Sequence, residues 1–142
     1  GILLALARKT RSVDAILKIL ARIPLVMFDK VSDKIPCTQV VINEEEAAYH
    51  AVEHLINTGK RRIAIIKETE RSFNSEKRYE GYLRALREYK IPIDEKIVLS
   101  TEDISMTKGK MMANVLLSLK KRPAAIFAIT DSAAIGVIKA LN

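Results

Sequence analysis

The sequence predicts an α/β fold built of doubly wound parallel sheets, and three observations carry that prediction. Runs continuous in apolar residues, such as Ile63-Ala64-Ile65-Ile66 and the stretch from Ala124 to Ile129, have the pattern of strands buried on both faces. Between such runs lie longer segments whose apolar residues recur at helical spacing. The two kinds of segment alternate along nearly the whole chain, as parallel strands joined by right-handed helical crossovers require.

Taken in order, Gly1 to Ala7 is the first predicted strand. A helix follows from about Ser12, its expected N-cap, with Val13, Ile16, Leu17 and Leu20 on one face. Pro24 opens the strand Leu25-Val26-Met27-Phe28, which stops at Asp29-Lys30. Val31 to Thr38 contains Pro36 and no periodicity, so it is predicted as a loop, part of a connection between two lobes. Gln39 to Ile42 reads as a short strand. Asn43 with Glu46 forms a capping-box-like start for a helix to about Thr58, ended by Gly59.

The pattern then repeats. After the strand Ile63 to Ile66 comes the loop that begins Arg71-Ser72-Phe73-Asn74, then a helix from about Ser75 to Tyr89 with Tyr79, Tyr82, Leu83, Leu86 and Tyr89 at helical spacing. A turn at Ile91 to Asp94 leads to a strand around Lys96 to Leu99. A helix is expected from about Ser105 with Gly109, Met112, Ala113, Leu116 and Leu117 on its face. Pro123 introduces the strand Ala124 to Ile129. Thr130-Asp131-Ser132 caps a final helix, with Ile135, Ile138 and Leu141 expected inward.

With 142 residues, 49% hydrophobic and 29% charged, the chain has the composition of a soluble globular protein. No uncharged stretch approaches the ~18 residues of a membrane span, so no membrane role is expected. The apolar start is followed by Arg8, Lys9 and Arg11 and not preceded by basic residues, the reverse of a signal peptide. Lacking an initiator Met, it reads as a strand of a truncated chain. The single Cys37 forms no internal disulfide, which suits a cytoplasmic location. The net charge of +7 raises the question of nucleic acid. Its two dense clusters, Lys60-Arg61-Arg62 and Lys120-Lys121-Arg122, each follow a predicted helix, where cations complement the helix C-terminus. No aromatic residues interleave with them, so a solvated structural role is the expectation.

His50-Ala51-Val52-Glu53-His54 matches the H-x-x-E-H zinc-peptidase pattern. On a helix whose core direction is set by Ala48, Ala51, Val52, Leu55 and Ile56, both histidines point to solvent, so no metal site is expected. Glycine-rich phosphate motifs are absent, and Thr107-Lys108-Gly109-Lys110 lacks the Walker spacing. No cofactor and no catalytic residues are expected. The strand carboxyl ends, where open parallel sheets bind ligands, do gather polar groups: Asp29, Asn74 with Arg78, the loop Thr101 to Ile104, and Thr130 with Asp131. A carboxylate opposite a guanidinium, with hydroxyl and amide groups, suits a small polyhydroxylated ligand. Each residue has a plainer role as well, an N-cap or a surface charge.

Four segments in order and spacing carry a resemblance: Ile23 to Lys30; Val52 to Ala64; Arg78-Tyr79-Glu80-Gly81-Tyr82; and Ala124 to Asp131 with Ala134-Ile135-Gly136. Together they resemble the effector-binding core of LacI/GalR-type transcription regulators. The resemblance implies a two-lobed fold of the periplasmic-binding-protein type, each lobe incomplete here: residues 1–42 from the N-terminal lobe and 43–142 from the C-terminal lobe. It implies a small effector, a sugar or nucleobase, in an interlobe cleft. Asp29 would line it from the first lobe. Asn74 and Arg78 would hold the ligand from the second, Ile104 would stand where an aromatic often stacks, and Thr130 with Asp131 would close the floor. Thr130 stands in place of the usual Asn, and Lys30 in place of the usual Arg. The resemblance also implies a homodimer and an N-terminal helix-turn-helix head for operator DNA, outside this chain. The alternatives are an extracytoplasmic sugar-binding protein feeding an ABC transporter and, more remotely, a zinc peptidase.

Overall fold

The structure is a computed structural model and describes residues 1–7, 10, 12–69 and 73–142. These fall into two compact units: the described residues of 1–43 with Phe73 and Asn74, and those of 44–69 and 75–142. The predicted loop residues Arg71 and Ser72 lie outside the described residues.

The first unit contains β1 (Ile2–Leu4), α1 (Asp14–Leu20), β2 (Leu25–Phe28) and β3 (Thr38–Val40). The strands run parallel in the order β1-β2-β3, with Ile2 opposite Leu25 and Met27 opposite Gln39. Leu25, Met27, Val31 and Ile35 form its core, and Val13, Ile16, Leu20 and Phe73 pack against it. Three expectations are corrected. β1 is shorter than the apolar run and is an edge strand, leaving Leu3 75% exposed. The first helix begins at Asp14, because the Ser12 hydroxyl accepts from the Asp14 amide at 3.2 Å and so forms a turn one residue ahead of the helix. β3 starts at Thr38 and ends before Val41 and Ile42, both exposed.

The second unit contains α2 (Glu44–Asn57), β4 (Ile63–Glu68), α3 (Phe73–Glu88, from Ser75 onward), β5 (Val98–Thr101), α4 (Met106–Ser118), β6 (Ala125–Ala128) and α5 (Asp131–Leu141). β4 is central in the parallel order β5-β4-β6, with Ile65 opposite Val98 and Ile63 opposite Ala125. Side chains alternate along a strand, and the two faces of β4 feed two cores. Ile63 and Ile65 join Val52, Ile56, Tyr82 and Leu86, whereas Ala64 and Ile66 join Ala113, Leu116, Ala133 and Val137. Ile63, Ile65 and Ile66 are at most 2% exposed, each burial contributing roughly 1.5–3 kcal/mol. This accounts for the continuous apolar run in the sequence.

Local signals set the element ends. α2 has Glu44, Glu45 and Glu46 in its first turn, where carboxylates complement the helix N-terminus. It is followed by Gly59 at φ +87°, a backbone that glycine adopts without strain. α4 is capped by the Ser105 hydroxyl accepting from the Lys108 amide, and α5 by the Thr130 hydroxyl accepting from the Ala133 amide, both at 3.3 Å. The strand expected from Lys96 instead begins at Val98. Ahead of it a 3-10 turn, Glu95–Ile97, forms because the Asp94 carboxylate accepts from the Lys96 amide at 3.0 Å.

The clearest correction concerns α5. Its buried residues are Ala133, Gly136 and Val137, while Ile135, Ile138 and Leu141 are 46%, 56% and 59% exposed. The cause is the close approach of α4 and α5. A Cβ added to Gly109 would meet the backbone of Ala133, and one added to Gly136 would meet the Met106 carbonyl and the Lys110 amide. Only small residues fit that seam, so the larger ones are displaced from it. On α2, Ala51 is likewise exposed although its spacing placed it inward.

α2 and α3 are laced together by polar groups at their surface. The Tyr49 hydroxyl donates to Glu88 at 2.7 Å, the Tyr89 hydroxyl to Glu53 at 2.9 Å, and Arg84 bonds Glu45 and Glu46 at 2.9 and 2.7 Å. The Arg84 bond holds the Glu46 carboxyl below its usual range, and bonds from His50 and Tyr89 do the same for Glu53. Tyr82, fully buried, donates its hydroxyl to the Ile63 carbonyl at 2.9 Å, and burial pushes its ionisation well up.

Candidate functional site

In a parallel sheet every strand delivers its carboxyl end, and every following helix its N-terminus, to the same rim. The sequence-predicted residues lie on these rims, Asp29 and Asn74 in the first unit and Arg78, Ile104, Thr130 and Asp131 in the second.

In the first unit Asp29 follows β2 directly, at φ +56°. That left-handed conformation is uncommon for a non-glycine residue, Asp being among those that tolerate it best. Its amide donates to the Val40 carbonyl at 3.3 Å, and its carboxylate Oδ1 accepts from the Asn74 side-chain amide at 3.1 Å. Asn74 is only 9% exposed, and its other polar atom, Oδ1, is buried with no hydrogen-bond partner among the described residues. A buried acceptor left unpaired costs about 1–3 kcal/mol, so a ligand that donates there gains more than an average hydrogen bond. The pair is acceptor-rich: Asn74 Oδ1 and the remaining carboxylate lone pairs of Asp29 call for hydroxyl or N–H donors.

In the second unit Arg78 sits in the first turns of α3. Its Nε donates to Glu44 Oε2 at 2.6 Å, and an Nη donates to the carbonyl of Ile129, the residue before Thr130. Glu44 is 6% exposed, so its carboxylate is largely screened from water, while Arg78 is half-buried. A guanidinium has five N–H donors, and these two bonds orient the group while leaving others for a ligand. Thr130 is half-buried as the α5 N-cap, and Asp131 is the exposed first residue of α5. Ile104 is half-buried and packs against both cores of the unit. Thr101, at the end of β5, is buried and donates its hydroxyl to the Asp103 carbonyl at 3.3 Å.

The structure thus joins Asp29 with Asn74, and Arg78 with the Ile129-Thr130 backbone, and shows no direct bond from Ile104 or Asp131 to either pair among the described residues. Glu44 is the member that sequence reasoning missed. The sequence reading of this helix start named only Asn43 and Glu46; α2 and α3 start on the same rim, and that placement is the signal that pairs Glu44 with Arg78. His50 and His54 are exposed on α2, with His50 within 3.2 Å of both Glu46 and Glu53. Among the described residues no three His, Cys, Asp or Glu side chains converge on a common point. No helix there is long and apolar enough to cross a membrane.

Comparison with known proteins places this geometry in context. The family model for periplasmic binding proteins and the sugar-binding domain of the LacI family matches residues 1–142. The chain is 35% identical over 119 residues to the probable HTH-type transcriptional repressor ExuR of Bacillus subtilis, covering 84% of this chain and 35% of that protein. It is 33% identical over 120 residues to the HTH-type transcriptional repressor PurR of Actinobacillus pleuropneumoniae, with the same coverage of 84% and 35%. Of solved structures, a regulatory protein of the LacI family from Chloroflexus aggregans is similar with a TM-score of 0.80 at 31% identity, over 89% of this chain and 45% of that one. A sugar-binding transcriptional regulator of the same family from Escherichia coli, complexed with phosphate, gives 0.81 at 26% identity over 99% and 50%. The chain spans about a third of the length of these curated relatives and about half of these solved chains.

Proposed function

Because this chain belongs to the family of periplasmic binding proteins and sugar-binding domains of LacI-type regulators, we propose that it is part of the effector-binding core of a transcriptional repressor. Residues 1–42 contribute to one lobe of that core and 43–142 to the other, except that Phe73 and Asn74 group with the first. The effector is a small molecule rich in hydrogen-bonding groups, such as a sugar or a nucleobase. Asp29 and Asn74 accept from its donors, and Arg78 donates to its acceptors. Thr130 and Asp131 stand on the second unit's rim with Arg78, and Ile104 offers an apolar contact. The intact protein acts as a homodimer in the cytoplasm, reads operator DNA through a helix-turn-helix head, and couples effector to DNA by about 1–3 kcal/mol. The matched relatives are named as transcriptional repressors, which favours this reading over a transport-associated binding protein.

The observation that carries the reading is the buried Asn74 Oδ1, without a partner among the described residues, beside the Asp29 carboxylate. A pair kept only for stability would be expected to satisfy that acceptor internally. The test is a thermal-shift panel of hexoses, pentoses, hexose phosphates and nucleobases on the intact protein, followed by operator binding with and without the best stabiliser. At least one compound raises the melting temperature in a saturable way and changes operator affinity by about 5- to 150-fold. A stabiliser that leaves operator affinity unchanged would count against the repressor reading, and a panel without any stabiliser against the effector class.

A further inference from the structure

The rim of the second unit opposite the candidate effector residues carries an excess of positive charge that the fold does not use. Lys60, Arg61 and Arg62 lie between α2 and β4, and Lys120, Lys121 and Arg122 between α4 and β6. Parallel pairing of β4 with β6, Ile63 opposite Ala125, sets the two triplets side by side. Arg62 Nε donates to the Lys121 carbonyl at 3.3 Å, and the Ala124 amide donates to the Arg62 carbonyl at 2.7 Å. Five of the six cations are exposed and Arg62 is half-buried. The two triplets hold six of the chain's 24 Lys and Arg residues, and the cations outside them nearly balance its 17 carboxylates.

The structural needs at this rim are small. Each helix C-terminus presents about half a negative charge, so two of them are neutralised by one cation. Arg61 serves α2 directly by donating to the Ile56 carbonyl at 3.1 Å. Arg62 is paired with Asp94, and that pairing holds the Asp94 carboxyl below its usual range. Lys60, Lys120, Lys121 and Arg122 are surplus to these needs. Of these Lys121 lines a recess of about 170 Å³, together with Arg61, with Arg62 and its partner Asp94, and with Ile91, Pro92 and Ile93. Ile93 is 38% exposed.

From this juxtaposition we infer that the rim is a docking surface for an acidic segment of a partner protein, one that carries an apolar residue between carboxylates. The carboxylates lie across the two basic triplets and the apolar side chain enters the recess. Tyr82, the aromatic residue lining the recess, is fully buried with its hydroxyl bonded to Ile63, so the recess has no ring for stacking bases, and its exposed apolar wall, Ile93, matches no group of a phosphate backbone. An acidic peptide therefore fits better than a nucleic acid. β4 is six residues long, which separates this rim from Arg78 and Thr130 by about 20 Å. The partner and the effector can be bound together, and the inference does not depend on the effector assignment.

The test uses the intact protein and a fluorescein-labelled peptide EEELEEE, with EEEEEEE and QQQLQQQ as comparisons, read by anisotropy at low ionic strength. EEELEEE binds more tightly than either comparison, and raising the salt weakens it. The charge-reversed protein carrying Lys60→Glu, Lys121→Glu and Arg122→Glu loses about tenfold or more in affinity. The neutral variant with Lys60→Gln, Lys120→Gln and Lys121→Gln loses affinity in the same direction and guards against misfolding of the first. The binding lost in these variants is not displaced by excess random duplex DNA. Equal affinity of wild type and both variants overturns the inference, as does absence of EEELEEE binding. Displacement of the variant-sensitive binding by duplex overturns it in favour of nucleic acid.

Discussion

Gly136→Ala lowers the melting temperature of the protein by about 10 °C or more. The added Cβ lands on the Met106 carbonyl and the Lys110 amide, both backbone atoms of α4. Flexible side chains swing aside at little cost, but backbone within a helix moves only if the whole helix shifts. A shift of α4 would pull Ala113 and Leu116 from the core they share with Ala64 and Ile66. Overpacking of this kind costs about 3 kcal/mol, and a domain of this size loses about 4–8 °C per kcal/mol. Gly59→Ala is the control: its φ is +87° but an added Cβ meets nothing within 4 Å, so the cost is backbone strain of about 1 kcal/mol. Differential scanning fluorimetry of the two variants separates the mechanisms. If Gly136→Ala melts no lower than Gly59→Ala, the tight α4–α5 seam is refuted.

Arg78→Ala has two separable effects, a loss of stability and a loss of effector binding. Removing the guanidinium leaves the Glu44 carboxylate, 6% exposed, without its charge partner at 2.6 Å. Breaking a fully buried pair from one side costs about 3–5 kcal/mol, an upper bound here because Arg78 is half-buried, whereas removing both partners is far less damaging. The double variant Glu44→Ala, Arg78→Ala therefore recovers most of the lost melting temperature. It does not recover binding, since no donor is restored to the rim. Arg78→Lys is intermediate: it keeps the charge but cannot reach both Glu44 and the Ile129 carbonyl with a planar fork. Chemical denaturation gives the first readout, and calorimetric titration with the best-stabilising compound the second. A double variant that regains both stability and affinity would show that Arg78 serves only the fold.

Much of the architecture was legible because its causes are local. The continuous apolar run of β4 follows from burial on both faces, Gly59 from a left-handed C-terminus, and Ser105 and Thr130 from their capping bonds. What stayed hidden depends on partners distant in sequence. Periodicity assigned α5 its large residues as the inner face, but the seam with α4 admits only Ala133, Gly136 and Val137. The resemblance had already singled out Gly136, without its reason. Glu44 pairs with Arg78, thirty-four positions away, because the two helix starts share a rim. Asn74 and Asp29, forty-five positions apart, were both named from the sequence, but their hydrogen bond and the orphaned Asn74 Oδ1 are properties of the folded chain. The zinc-peptidase pattern on α2 was set aside by helix geometry alone, and His50 and His54 do lie on an exposed face.

Whether Asn74 and Asp29 hold the effector is tested most directly by calorimetric titration of the best-stabilising compound into intact wild type and Asn74→Ala. The substitution removes one acceptor that has no partner among the described residues and one donor to an exposed carboxylate, so the ligand-free melting temperature changes little. The predicted result is a dissociation constant weakened about tenfold or more, the loss of a hydrogen bond to a buried acceptor. The same affinity in wild type and Asn74→Ala would place the effector elsewhere.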